Sequence, residues 1–244
     1  MKRRPSAPPS FFASEAAGLA WLAEPGTVRV PRVLAVGPTS ITLERIDTGA
    51  PSDRGADDLG RGLAELHASG ASGFGAPWPG FIGPLPMDNE PGPDWTTFYA
   101  ERRVLPFLRQ ARDLGAVDPG QAAAIEGMIG RFDTLAGTSA GEGPSRIHGD
   151  LWSGNVVWDG KGLAWLIDPA AHGGHRETDL AMLDLFGLPK LDRVLAAYDE
   201  TRPLADGWRA RVGLHQLHPL LVHAVLFGPS YGARAAEVAH RALR

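Results

Sequence analysis

The chain has 244 residues, enough to bury a sizeable core as one large domain or two small lobes. A net charge of −4 gives no electrostatic pull towards nucleic acid or an acidic membrane, and the absence of cysteine excludes disulfides, thiolate metal sites and cysteine nucleophiles. It also fits a cytoplasmic protein. No apolar run reaches the length of a membrane span, and the basic start Met1-Lys2-Arg3-Arg4 is not followed by the apolar stretch of a secretory signal.

Residues 2–10 are basic and proline-rich and, taken alone, read as a loose tail. Phe12, Ala16, Leu19, Ala20 and Leu22 recur at spacings of three and four, which predicts a helix over 10–23 ended by Pro25-Gly26. Val28 to Val36 is β-rich but broken by Pro31, as in an edge strand or two short pieces. A turn at 37–40 leads into a strand over 41–46. Residues 47–53 read as a linker and set the expected boundary between an N-terminal lobe (1–46) and a C-terminal lobe (47–244).

Beyond it, Leu59, Leu63 and Leu66 mark a helix over 57–68. Residues 70–93 form a long loop rich in glycine, proline and aromatics, a length usually tied to function. Asp94 is placed to cap a helix reaching about Leu114, disturbed at Pro106. Asp118-Pro119 opens the next helix, and 138–144 is a connector. Residues 156–158 and 163–167 read as a hairpin. Helices follow over 179–186, 191–198, 208–227 and from Tyr231 to the end. Strands with one helix, then helices with one hairpin, make an α+β chain with two unequal lobes.

The chemistry centres on His148-Gly149-Asp150-Leu151-Trp152-Ser153-Gly154-Asn155, followed by Ile167-Asp168-Pro169. Asp150 and Asn155 share a tight loop, and the hairpin brings Asp168 back beside Asn155. This is the pattern of phosphoryl transfer. One carboxylate, Asp150, orients the attacking hydroxyl, while the oxygens of Asn155 and Asp168 suit Mg²⁺, a hard cation that takes one or two carboxylates from a protein. His148 is expected to order the loop by hydrogen bonding. Any single Asp here could be a turn residue, but the spaced triple around a hairpin is far more specific.

These residues, with Ile167-Asp168-Pro169-Ala170 and His175-Arg176-Glu177-Thr178-Asp179-Leu180-Ala181-Met182, resemble the fructosamine (ketosamine) kinase family, whose protein-kinase-like fold is related to aminoglycoside and choline kinases. The resemblance runs nearly the full length. It implies ATP and Mg²⁺ as cofactors, Asp150 as the catalytic residue, and Asn155 and Asp168 as metal ligands. It further implies Glu44 to Ile46 as the hinge whose backbone bonds adenine, and Asp179 as a brace of the catalytic loop. The reaction implied is phosphorylation of the sugar 3-hydroxyl of ketosamines, on small amines or glycated protein lysines, a deglycation activity. By the same resemblance Lys2 is the ATP-phosphate lysine and Glu15, thirteen residues on, its partner. The family's glycine-rich loop and its two strands have no counterpart ahead of Lys2. The alternatives are therefore an upstream start or a reduced N-terminal lobe, with a catalytically impaired pseudokinase, or a kinase of another small alcohol, as competing functions. Met87, His218 and Val222 depart from the family pattern.

Trp152, Arg176, Glu177 and Trp208 are candidate acceptor residues, Arg176 and Glu177 by resemblance alone. Trp95 and Tyr231 could stack on a sugar, with core packing equally open to them. His148, His172 and His175 lack the spacing of a transition-metal site. His215, His218 and His223, on one late helix, fit packing. Ser153 lacks the Gly-x-Ser-x-Gly elbow of a hydrolase nucleophile.

Overall fold

The computed structural model describes residues 1–244. The basic start is not a tail. Lys2–Arg3 (β1) pairs antiparallel with Ser40–Leu43 (β3), which also pairs with Val33–Gly37 (β2), giving the order β1-β3-β2. The ladder and the charge contacts of Lys2 described below hold this end in place. β2 and β3 are shorter than the sequence suggests: Val28 to Arg32 lies outside the sheet and Glu44 to Ile46 runs on as irregular chain. Phe11–Ala23 (α1) packs on this sheet through Phe12, Leu19 and Leu22.

Asp53–Ala68 (α2) starts four residues before the expected 57, because the Ser52 hydroxyl accepts the Gly55 amide at 2.9 Å and caps it. The long loop after it contains a hairpin that alternation could not reveal in strands of three residues: Gly80–Ile82 (β4) and Leu85–Met87 (β5). Asp94 caps Trp95–Phe98 (α3) as expected, accepting the Thr97 amide at 2.8 Å. The disturbance expected at Pro106 is a π-helical turn over Tyr99–Val104 leading into Leu105–Asp113 (α4). Pro106 has no N–H for the Arg102 carbonyl four residues back, and the Arg103 side chain donates to that carbonyl at 3.1 Å.

Pro119–Ile129 (α5) opens with a capping box between Asp118 and Gln121. After Phe132–Ala136 (α6) the chain enters Ser145–Ile147 (β6). Val156–Trp158 (β7) and Ala164–Leu166 (β8) form the expected hairpin, with Val156 opposite Leu166. Its loop is closed by the Asp159 carboxylate, which accepts the Lys161 and Leu163 amides and the Trp165 indole N–H. His172–Gly174 (β9) returns to pair with β6, a contact between segments with no strand signal.

Arg176–Phe186 (α7) begins three residues earlier than read, with His175 as its cap. Leu191–Thr201 (α8) packs on α2, and Trp208–Phe227 (α9) packs on α7 and on Pro229–Ala242 (α10). Pro219 lies inside α9 and cannot bond the His215 carbonyl. The buried Tyr99 hydroxyl donates to the Leu214 and His215 carbonyls (2.9 and 3.0 Å) and accepts the His218 amide (3.2 Å), closing the gap. One hydrophobic cluster joins the 74–136 helices to α9 and α10. A second joins α2, the β7–β8 hairpin, α7 and α8. The catalytic segment runs between them. No helix is long and apolar enough to cross a membrane.

Candidate active site

The loop from His148 to Asn155 is fixed from below. The fully buried Asp179 carboxylate accepts the His148 amide at 2.7 Å and the Gly149 amide at 2.9 Å, and lies 3.2 Å from His67 Nε2. His67 in turn meets the Tyr198 hydroxyl at 2.9 Å. Burial opposes ionisation of Asp179, but the bond and charge of His67 and the amides of the loop hold its carboxyl below the usual range.

Gly149 has φ +80°, and a Cβ there would lie 2.3 Å from the Ala170 carbonyl oxygen, so only glycine lets the loop pass. His148 Nε2 donates to the Ile167 carbonyl (3.0 Å) and its Nδ1 accepts the Asp150 amide (3.3 Å). That fixes a neutral tautomer, and burial lowers its pKa in the same sense. His148 therefore ties the Asp150 loop to the residue before Asp168, as an ordering residue should.

Asn155 Nδ2 donates to both the carbonyl (2.8 Å) and the carboxylate (3.0 Å) of Asp150, and approaches the Asp168 carbonyl at 3.5 Å. Its Oδ1 is left for the cleft, which Asn155 lines. Asp168 adopts φ +54°, unusual for a non-glycine residue and a sign that the surroundings over-determine its position. Burial pushes the Asp150 carboxyl up to about 6, the Asn155 bond opposing and the Asp179 charge adding.

Across the cleft Lys2 Nζ lies 2.7 Å from Glu15 Oε1 and also contacts Asp168 Oδ1. The three residues come from β1, α1 and the end of the hairpin, so the ion pairs tie the small sheet and α1 to the Asp168 segment. The Asp168 carboxylate and the Asn155 amide oxygen, both on residues that line the cleft, are hard oxygen donors of the kind that suits Mg²⁺. The Glu44 side chain is turned to Arg32, which donates from Nε and from its backbone at 3.2 Å. Glu44, Arg45 and Ile46 are not among the residues that line the cleft.

The cleft holds about 570 Å³. Besides Lys2, Glu15, Asp150, Asn155 and Asp168 its lining includes Trp152 and an aromatic wall of Phe11, Trp78 and Phe81. Phe11 and Phe81 meet edge to face at 5.2 Å. The sequence reading missed this wall. Its one signal was the length and composition of the 70–93 loop. Trp152 folds over Gly154, whose lack of a side chain makes room for the indole, and stays 36% exposed at the cleft.

The other acceptor candidates lie elsewhere. Arg176 is buried with its guanidinium on Glu142 (2.6 and 2.8 Å). Glu177 is buried with Arg211 (2.9 and 2.6 Å). Both anchor the start of α7 from the side away from the cleft lining. Trp208 packs at the edge of the second hydrophobic cluster under Arg209. Trp95 is buried in the core, stacked on Tyr99 and His215. His175, Glu177 and His215 come together in a way their spacing did not announce. The Glu177 carboxylate is filled by Arg211, and the imidazoles bond Ser139, Thr178 and the Glu177 amide, while His215 Nε2 lies 3.3 Å from the Glu177 carboxylate without a hydrogen bond.

The fructosamine kinase family model matches residues 1–244. The chain belongs to the fructosamine kinase family. A probable ketoamine kinase of Thermus thermophilus is 38% identical over 226 residues, spanning 92% of this chain and 79% of that protein. A chloroplastic protein-ribulosamine 3-kinase of Arabidopsis thaliana is 34% identical over 254 residues, spanning 100% of this chain and 76% of its own. Among solved structures, a fructosamine-3-kinase candidate of Thermobifida fusca superposes with a TM-score of 0.93 at 52% identity, covering 98% of this chain and 83% of that one. A choline kinase of Cryptosporidium parvum, at TM-score 0.57 and 12% identity, shares the kinase-like fold alone. This fructosamine kinase family member is thus a phosphotransferase with an alcohol acceptor, on the α+β, kinase-like fold read from its sequence. Membership implies ATP and, typically, Mg²⁺.

Proposed function

We propose that the protein transfers the γ-phosphoryl group of ATP to the sugar 3-hydroxyl of a ketosamine, a fructosamine or ribulosamine carried on a small amine or a protein lysine. The observation that carries this reading is the convergence of Asp150, Asn155 and Asp168 on one cleft, with the Lys2–Glu15 pair reaching Asp168 from the sheet. Residues 1–46 supply the nucleotide side and residues 47–244 the catalytic loop and acceptor side. Asp150 orients the acceptor hydroxyl and takes its proton. Asn155 Oδ1 and the Asp168 carboxylate hold Mg²⁺, which when bound neutralises phosphate charge. Lys2 bonds the phosphates and Glu15 keeps its ammonium aimed. The adenine is bonded by the backbone at Glu44 to Ile46. Trp152 and the Phe11–Trp78–Phe81 wall exclude water and cover the apolar faces of the acceptor.

The paired Lys2 and Glu15 support an active enzyme over the impaired pseudokinase, because an idle site has no need to place that ammonium on Asp168. An acceptor panel tests the reading. ADP release with Mg·ATP should be fast with ribulose-lysine or fructose-lysine and slow with choline or an aminoglycoside. The reverse order would replace the ketosamine with the other alcohol.

A further inference from the structure

Arg103 sits on the π-helical turn and is 1% exposed, yet no carboxylate meets its guanidinium. Its Nε donates to His172 Nε2 (3.3 Å), Nη1 to the Arg102 carbonyl (3.1 Å) and to the Asp88 carbonyl, and Nη2 to Asn89 Oδ1 (2.8 Å). Its face lies 4.5 Å over the Phe98 ring. A cation buried without a carboxylate in direct contact is costly, and here burial pushes its pKa down to about 9, the charge of nearby Asp88 opposing. A neutral side chain would fill the space at lower cost, so the forked donor set is what the site uses.

Two of these contacts, to Asn89 and to His172, are relayed to the cleft. Asn89 accepts from Arg103 at Oδ1 and donates from Nδ2 to the Trp78 carbonyl at 3.2 Å. His172 accepts at Nε2 and so carries its proton at Nδ1, which donates to the Ala170 carbonyl at 2.8 Å. Trp78, Asn89 and Ala170 all line the cleft. Ala170 follows Asp168-Pro169, and its carbonyl is the atom against which Gly149 turns. One guanidinium therefore spans from the aromatic wall to the segment that bears Asp168 and backs Asp150.

We propose that Arg103 is a positioning residue that sets the separation between the Trp78–Asn89 wall and the Asp168–Ala170 segment, and thereby how tightly the acceptor is held. The proposal rests on reading this cleft as the acceptor site. Arg103→Lys keeps the charge, but one ammonium cannot serve Asn89 and His172 together. In steady-state kinetics of the full chain it should raise the acceptor KM about tenfold while kcat and the ATP KM stay within about threefold, the signature of lost ground-state binding. Asn89→Asp supplies Arg103 with a carboxylate and removes only the donor to Trp78. It should raise the acceptor KM without lowering Tm. A lowered Tm with an unchanged acceptor KM in Arg103→Lys, or an unchanged acceptor KM in Asn89→Asp, overturns the proposal. If the wild-type chain phosphorylates no ketosamine, the functional reading fails instead, and hydrogen exchange decides this one. Faster exchange over 77–91 in Arg103→Lys, with α5 and α10 unchanged, upholds the clasp, and unchanged exchange over 77–91 overturns it.

Discussion

Asn155 donates to the Asp150 carboxylate at 3.0 Å, so the protonation of one is coupled to the identity of the other. Burial raises the Asp150 pKa to about 6 and the Asn155 bond restrains that rise. Transfer needs the carboxylate, so kcat/KM should fall as pH drops through about 6. Asn155→Asp adds a like charge in place of a donor, and should move this acid limb upward while lowering the plateau. An acid limb that stays in place would break the coupling.

The same shift has a consequence for stability. Asp150 has a folded pKa above its ordinary 3.8, so between 3.8 and about 6 the folded chain binds the extra proton and the unfolded chain does not. Ionising Asp150 therefore costs stability as pH rises through that window. Asp150→Asn should melt no lower than wild type at pH 7.5 and lose its relative advantage at pH 4, checked by thermal scans at both values.

Lys2 joins Glu15 and Asp168 across three elements. Lys2→Met should raise the ATP KM and lower kcat, together about a hundredfold in kcat/KM if the ammonium stabilises phosphate charge as a preorganised donor does. Glu15→Gln should do less, because Lys2 keeps its charge and loses only its guide. Equal losses would assign Lys2 and Glu15 a purely structural pairing.

Asp179 satisfies two backbone amides and faces His67 in a site without water access. Asp179→Ala leaves those donors unpaired, at about 1–3 kcal/mol each, so urea unfolding should show a loss of roughly 2–6 kcal/mol. The Asp150 loop should loosen with it, seen as faster hydrogen exchange at 148–155.

Tyr99→Phe removes the hydroxyl that closes the Pro219 break in α9. The buried His218 amide and His215 carbonyl lose their partner, and stability should fall by about 1–3 kcal/mol with ATP binding unchanged.

The grouping of Asp150, Asn155 and Asp168 at one cleft was legible because the hairpin between Asn155 and Asp168 is local. Helix α2 was legible from its apolar repeat, though not from its cap, and α5 from its Asp118-Pro119 start and apolar residues. The clasp at Arg103 was not. Nothing in an Arg-Arg pair on a helix says which one is buried, and its partners Asn89 and His172 are distant in sequence. The β6–β9 pairing was hidden for the same reason, its strands being three residues long and one of them His-Gly-Gly. Taken alone, residues 2–10 read as a tail because strand β1 is two residues long and is defined by its pairing with β3, which no local pattern encodes; only the family resemblance singled out Lys2 and its pairing with Glu15. Arg176 and Glu177 stand close to Asp168 in sequence, yet the β9 strand turns the chain into the core before α7 begins, and both end in buried ion pairs.

The most direct test is phosphorus NMR of the chain with Mg·ATP and ribulose-lysine or fructose-lysine, run beside Asp150→Asn. The account predicts a new sugar-phosphate resonance growing with ADP in the wild type, slowed by about 10²–10⁴-fold in the variant. A resonance of equal rate in both proteins, or ATP consumed with no sugar phosphate formed, would contradict it.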